Sequence, residues 1–296
     1  MAPVSFRASA GAREAAAVET LAEVLLPQKG AQLPEVPALH SSDGLLNCTL
    51  RLRAARVVVG PNISFVTRVY NDSIPGPTII VKPGDRLMIT VQNDLQAPLG
   101  SVSSDTYQLP NTTNLHVHGL HVSPQSPADN VFAKVGPGTS SVYDYRILAD
   151  HSPGTYWAHP HHQGSTVLQG GAGAASAVLV RDPPGFLSPQ LEKMPESSLV
   201  VQNVAFRQLQ EAARASGDRL FQFSKEVPED LWLVNGAVQP VLTVSSAEWR
   251  RLRLVMAGVS RWLWLEFGQC QVALLAKDGI YIEDFPRWIS HVSLPP

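Results

Sequence analysis

Two short stretches of this 296-residue chain crowd imidazoles together: "TNLHVHGLHVS", with His116, His118 and His121, and "WAHPHHQGST", with His159, His161 and His162. His116 and His118 stand two apart on an expected strand, and so do His159 and His161. Side chains at i and i+2 of a strand leave the same face, so each pair aims two imidazoles at one region of space. That arrangement can hold a metal ion or a small cluster. Four imidazoles with no thiolate or carboxylate beside them in sequence suit copper, zinc, iron or nickel and do not by themselves choose among these. A single histidine is more often a satisfied core residue than a ligand. Two such pairs, one closed by Gly119 and the other preceded by "GTYW", weigh against coincidence. Gly119 allows another group to approach the backbone closely, and Pro160 confines the second pair to a strand edge or end. His121, His151 and His162 fall off the spacing and read as structural or supporting residues.

Something must carry these pairs, and the surrounding pattern is of short β-type runs. In "RLMITVQN" (86–93) Leu87, Ile89 and Val91 point one way while Arg86, Met88, Thr90 and Gln92 point the other, as in a half-buried strand. The run follows a Pro83-Gly84-Asp85 turn, the apolar "TIIV", and a Pro75-Gly76-Pro77 turn. Further strands are expected at 63–70, 113–120, 142–148, 154–159 and 174–181. Short strands separated by Pro and Gly predict a sandwich or barrel rather than βαβ units. "RDPPGFLSPQLEKMPES" (181–197) is Pro-rich and polar and marks a boundary. Beyond it "SLVVQNVAF", "DLWLVNG", "PVLTV", "WRRLRLVMA", "WLWLEF" and "QVALLA" again read as strands. The chain is therefore read as all-β: an extension over 1–45, largely irregular with one short helix up to Leu26, a first sandwich over 46–183, and a second, incomplete one over 196–296.

Composition removes several classes of function. A formal net charge of -2, from 23 basic and 25 acidic side chains, gives no electrostatic footprint for nucleic acid. No uninterrupted apolar run reaches membrane-spanning length. Cys48 and Cys270 are far apart and form neither a disulfide framework nor a CxxC site, so both read as structural. GxSxG and HExxH are absent, which leaves hydrolase chemistry without support, and "GGAG" (170–173) lacks the lysine of a phosphate loop. The start of the chain shows no ordinary secretory signal, while triplets at Asn47, Asn62, Asn71 and Asn111 are of the glycosylation type. The compartment stays open.

Taken in order, "YNDSIPGPTIIVKPGDRLMITVQNDL", "TNLHVHGLHVSP", "ADNVF", "VGPGTSSVYDYRI" and "HSPGTYWAHPHHQGSTVLQGGAGAASAVLVRDP" resemble the first cupredoxin domain of the laccase-like multicopper oxidases, over residues 57–183. Residues 198–284, with "LVNGAVQP", "WRRLRLVMAG" and "KDG", resemble the second such domain less specifically. The resemblance implies two consecutive plastocyanin-like Greek-key β-sandwiches and copper as the cofactor. It also implies one-electron oxidation of a small reducing substrate, phenol-like or a metal ion, coupled to reduction of dioxygen to water. By the same resemblance His116 would ligate the type 2 copper, His118 and His159 one type 3 copper, and His161 the other. Asp129, in "ADNVF", matches the acidic residue that the family places near the cluster to assist proton delivery; a turn aspartate before Asn130 is the competing reading.

The departures from the family pattern carry equal weight. The family's trinuclear cluster takes eight histidines, the other four coming from HPxHxH and HCHxxxH motifs that this sequence does not contain, and only His291 follows His162. The cysteine of HCH is also the thiolate of the blue type 1 copper, and Cys270 has no histidine beside it. Half a trinuclear site is therefore expected here, completed by a third domain or another chain. A non-catalytic copper- or zinc-binding or interaction module is the alternative.

Overall fold

The structure, a computed structural model, describes residues 21–97 and 109–296. Its strands follow the chain as β1 (Ala22–Leu25), β2 (Ala38–His40), β3 (Leu45–Val59), β4 (Ile63–Tyr70), β5 (Thr78–Val81), β6 (Arg86–Asn93), β7 (His116–His118), β8 (Ser140–Arg146), β9 (Gly154–His159) and β10 (Ser176–Val180). A one-turn helix α1 (Thr166–Gln169) separates β9 from β10. The second part holds α2 (Pro189–Glu192), β11 (Glu196–Ala205), α3 (Phe206–Ser216), β12 (Gln222–Phe223), β13 (Asp230–Val234) and β14 (Arg251–Met256). Short strands β15 (Leu263–Glu266), β16 (Val272–Leu274), β17 (Ala276–Lys277), β18 (Ile280–Tyr281), β19 (Arg287–Ile289) and β20 (His291–Leu294) complete it.

Two sheets face each other in the first part. One runs β12-β4-β3-β6-β8 with β1 also on β3, and the other runs β2-β5-β10-β9-β7. Alternation within each strand decides what lies between them. Leu87, Ile89 and Val91 of β6 are wholly buried, and they meet Leu50 and Leu52 of β3, Tyr143 and Tyr145 of β8, Ile79 and Val81 of β5, and Val178 and Val180 of β10. Between Leu52 and Ala55 the buried parity of β3 changes from even to odd positions. Ala55 and Val57, with Phe65 and Val69 of β4, thereby belong to a second core on the outer face of the same sheet. Phe206, Leu209 and Ala213 of α3 and Leu231 and Leu233 of β13 fill that core. Their spacing along α3 is the one-face periodicity of an amphipathic helix.

The second unit is thus seated on the outside of the first unit's sheet. Its own frame is a β13-β11-β14 sheet, followed by the ribbons β15-β20, β16-β19 and β17-β18. β12 continues the larger sheet by pairing antiparallel with β4, Gln222 opposite Val66 and Phe223 opposite Phe65. Arg68 fastens the same seam. Its guanidinium has no solvent exposure, its Nη1 and Nη2 donate to the two Asp218 carboxylate oxygens at 3.1 and 2.6 Å, and its Nε and Nη2 donate to Asn111 Oδ1. Burial raises the proton affinity of Asp218, but the bonds and charge of Arg68 outweigh it and hold the carboxyl below its ordinary range.

Several expectations change. Ala22–Leu25, expected as the end of a helix, is a strand, because its backbone pairs in parallel with the edge of β3 at Ala55–Val58, and that pairing overrides the Ala-rich helix propensity; residues 1–20 of the same expected helix lie outside the described residues. β2, also in the stretch expected to be largely irregular, pairs in parallel with β5. In "PVLTV" only Val241 makes an isolated bridge, to Gln32, and no strand forms. α3 lies between the runs "SLVVQNVAF" and "DLWLVNG", in a stretch to which the sequence reading assigned no element.

Replacing Asp218 by Ala leaves the Arg68 cation buried and unpaired, and the expected loss is about 3–5 kcal/mol in urea unfolding. Because the folded-state carboxyl titrates lower than the unfolded one, this contribution is present at neutral pH and fades as pH falls through the acidic carboxylate range. The wild-type chain should accordingly lose its stability advantage over Asp218→Ala in acid; an unfolding difference that does not shrink there would contradict the assignment.

Candidate metal centre

β7 and β9 are antiparallel neighbours whose register sets His116 opposite His159 and His118 opposite Trp157. Directly opposed residues share a face, as do residues two apart, so His116, His118, Trp157 and His159 all project to one side. The ligand-capable nitrogens of His116, His118 and His159 lie within 4.8 Å of one another. β9 ends at His159, so His161 lies beyond the strand and the same-face argument does not place it; Pro160 ends the pairing there. Its ring nevertheless comes to 5.2 Å from that of His116 and 5.7 Å from that of His159, centroid to centroid. Asn114 secures this turn: its Oδ1 accepts from the His161 backbone N–H at 2.6 Å, and its amide donates to the Val131 carbonyl at 2.7 Å.

Outer hydrogen bonds decide which imidazole nitrogens remain free. His116 Nδ1 lies 2.8 Å from Asp129 Oδ2, while the other Asp129 oxygen accepts from the Val117 backbone N–H at 3.0 Å. The carboxylate therefore accepts a hydrogen bond from Nδ1–H, which keeps the proton on Nδ1 and leaves the Nε2 lone pair of His116 free. His159 repeats the device with Nδ1 3.1 Å from the Pro160 carbonyl, which leaves its Nε2 buried and without a hydrogen-bond partner. A buried imidazole nitrogen without a partner is costly unless a hydrogen-bond donor or a cation meets its lone pair. Burial first, and the neighbouring His116 next, push the His159 pKa down to about 3, and burial with His116 and His161 lowers that of His118. Both rings are neutral at physiological pH, as metal ligands must be.

Two supporting residues escaped the sequence reading. Trp157 stacks on His159 at 4.0 Å and 20°, and on His118 at 5.5 Å and 24°, so one indole holds two rings of the cluster. Its shared parity with His159 was the available signal. Asn114 carried no such signal, since its partner lies 47 positions away. Gly119, with φ of 88°, would bring a side-chain carbon to 3.0 Å from Tyr156 Cδ1, so it permits close packing of that ring behind the site.

His121, His151 and His162 make scaffold hydrogen bonds. His151 Nε2 accepts from the His121 backbone N–H at 2.9 Å and its Nδ1 bonds the Ser152 carbonyl. The His162 carbonyl accepts from Ser165 and Thr166 at the start of α1. Cys48 is partly buried against the main core, its thiol pushed up to about 11 by burial, and Cys270 is exposed; both are free thiols. Among the described residues no helix is long and apolar enough to cross a membrane.

The chain is similar to known proteins. Residues 61–185 match the family model described as "Multicopper oxidase". The chain is 33% identical over 140 residues to multicopper oxidase MmcO of Mycobacterium tuberculosis, covering 47% of this chain and 23% of that protein. It is 26% identical over 271 residues to multicopper oxidase mco of Staphylococcus haemolyticus, covering 89% of this chain and 54% of that one. In fold it is similar to a multicopper oxidase from Campylobacter jejuni, described as a metallo-oxidase, with a TM-score of 0.70 and 23% identity over 92% of this chain and 52% of that chain. Against the relatives it matches along most of its length, the chain spans about half of theirs. Its fold is mostly β and cupredoxin-like, residues 61–185 carry the multicopper oxidase pattern, and by family model, relatives and fold neighbours alike the chain is similar to the laccase-like multicopper oxidases.

Proposed function

We propose that this chain binds copper through His116, His118, His159 and His161 and forms one wall of a polynuclear copper centre at which dioxygen is reduced to water. The observation that carries the reading is the buried, unpartnered Nε2 of His159 beside the ligand-capable nitrogens of His116 and His118. The donor set fits copper, since imidazoles held neutral by burial and by outer hydrogen bonds are suitable ligands. Bound copper would supply reversible one-electron redox chemistry and an affinity for dioxygen. His116 serves the type 2 position, His118 and His159 one type 3 position and His161 the other, a distribution taken from the family resemblance.

The chain's own residues then have definite tasks. Asp129 keeps the His116 tautomer fixed and holds a carboxylate 2.8 Å from Nδ1, where it can pass protons toward the centre as oxygen is reduced. Trp157 shields one side of His159 from water. Asn114 fixes the backbone that carries His161. Further ligands, and a blue copper that receives electrons from a phenol-like or metal-ion substrate, are to be sought in a third domain or another chain, because neither Cys48 nor Cys270 has a histidine beside it in sequence. A second reading, capture of copper or zinc without catalysis, draws support from the solvent exposure of His118 and His161.

Titration of the chain with Cu(II) against a competing chelator should reveal tight uptake, which His116→Ala or His159→Ala abolishes; unaltered uptake in both variants would remove the reading. Asp129→Asn should weaken copper binding by roughly 10–100-fold, as loss of an outer partner of a ligating histidine does. With copper bound, these 296 residues alone should develop neither intense blue colour nor phenol-dependent oxygen uptake. Zn(II) held as tightly as copper at the same histidines would favour the capture reading.

A further inference from the structure

The second unit also meets the first on the face that carries the histidines. Tyr156 and Ala158 of β9 and Val178 of β10 belong to the main core, so Thr155, Trp157 and His159 of β9 and Ala177 of β10 leave the opposite, outward face of that sheet. Val255 of β14, its register partner Val200 of β11, and Ala257 form one small apolar cluster with Ala175 and Ala177, and Trp157 packs against it. Two residues earlier on each strand, Arg253 Nη1 donates to Thr155 Oγ1 at 3.1 Å. Arg253 is itself held by ion pairs with Asp182 and Glu196 at 3.1 and 2.8 Å, with its side chain only 8% exposed. β14 therefore engages the histidine face of β9 at two points of matching parity, one polar and one apolar.

The indole of Trp157 needs such backing. Its centroid lies 4.0 Å from that of His159 and 5.5 Å from that of His118, and the two imidazoles are 6.0 Å from each other. Were the indole wedged between them, their separation would approach the sum of the first two distances. It falls far short, so the histidines do not sandwich the ring and cannot by themselves hold it still. Val255 and its neighbours press on it from outside the histidine cluster. Ligands keep a productive geometry when the groups that touch them are themselves locked by packing.

Resting on the copper reading above, we infer that Val255 is a positioning residue of the metal centre: β14, moored to β9 by Arg253, fixes the Trp157 indole and through it sets the His118 and His159 rings for a copper ion. The second unit supplies none of the four clustered histidines, yet it supplies the surface against which two of them are aligned.

Titration of the full chain with Cu(II) against a competing chelator, together with the electron paramagnetic resonance spectrum of the bound ion, tests this. Val255→Ala opens space beside the indole. Uptake should weaken about three- to tenfold, less than the roughly 10–100-fold typical of losing a direct outer partner of a ligand, and the copper hyperfine splitting should change. Val255→Ile, which keeps a branched apolar side chain against the ring, should retain the wild-type spectrum. Because Val255→Ala also loosens the surrounding packing, the deciding comparison is made in a Trp157→Ala background, where Val255→Ala should weaken uptake no further. Equal weakening with and without the indole would mark a general loss of packing and overturn the inference. Wild-type affinity and spectrum in Val255→Ala, while His159→Ala loses uptake, would overturn it too and leave the copper reading standing. Unchanged uptake in His159→Ala would instead remove the copper reading itself.

Discussion

The pairing of β7 with β9 is the constraint on which the site depends. Three residues of β7 suffice because the register sets His116 opposite His159, and a slip of β7 by one position would turn His116 and His118 to the face opposite His159. So short a strand needs fixing from outside the sheet. Asp129 does this by bonding both the His116 ring and the Val117 backbone, so one carboxylate sets the strand's position and the tautomer together. Val117, between the two histidines, is buried in the main core and pins the strand from its other face. Packing and polar chemistry are thus joined across a single residue of the sheet.

The cluster combines exposure with enclosure. His159 is buried and stacked, His116 is half-buried, and His118 is open to solvent. An imidazole such as His159, kept neutral by burial, gives up its site to a cation without a competing proton across the physiological range. The neighbouring rings reinforce this, because protonating one is opposed by any charge on the others. Asp129 lies behind His116, bonded to its Nδ1, where it lends negative charge while leaving Nε2 free.

Much of this was legible before any coordinates. The strict alternation of "RLMITVQN" and the turns around it set β6 and its inward face, and 63–70, 78–81 and 154–159 emerge as strands with the expected bounds. The i, i+2 spacing brought His116 and His118 to one face, and the second histidine pair was legible as a group, although His161 reaches it by a turn rather than by strand geometry. What stayed hidden depends on contacts between distant segments. Ala22–Leu25 has a helix former's composition but joins a sheet because an edge is there to receive it. Phe206, Leu209 and Ala213 have helical spacing, yet they sit among strand-like runs, and only the outer face of β3 and β4 explains why that stretch folds as it does. Asn114 acts on a histidine 47 positions away that local pattern alone cannot connect to it.

The seating of the second unit on the first has a consequence for the chain as material. β12 covers β4, which would otherwise end its sheet with a row of unpaired backbone groups, and α3 covers the apolar side chains behind it. A bare, flat and greasy strand border is a template for other chains to add to. The two units are consequently not beads that can be separated at the Pro-rich link: the later half covers a strand border and an apolar face that the earlier half would otherwise present.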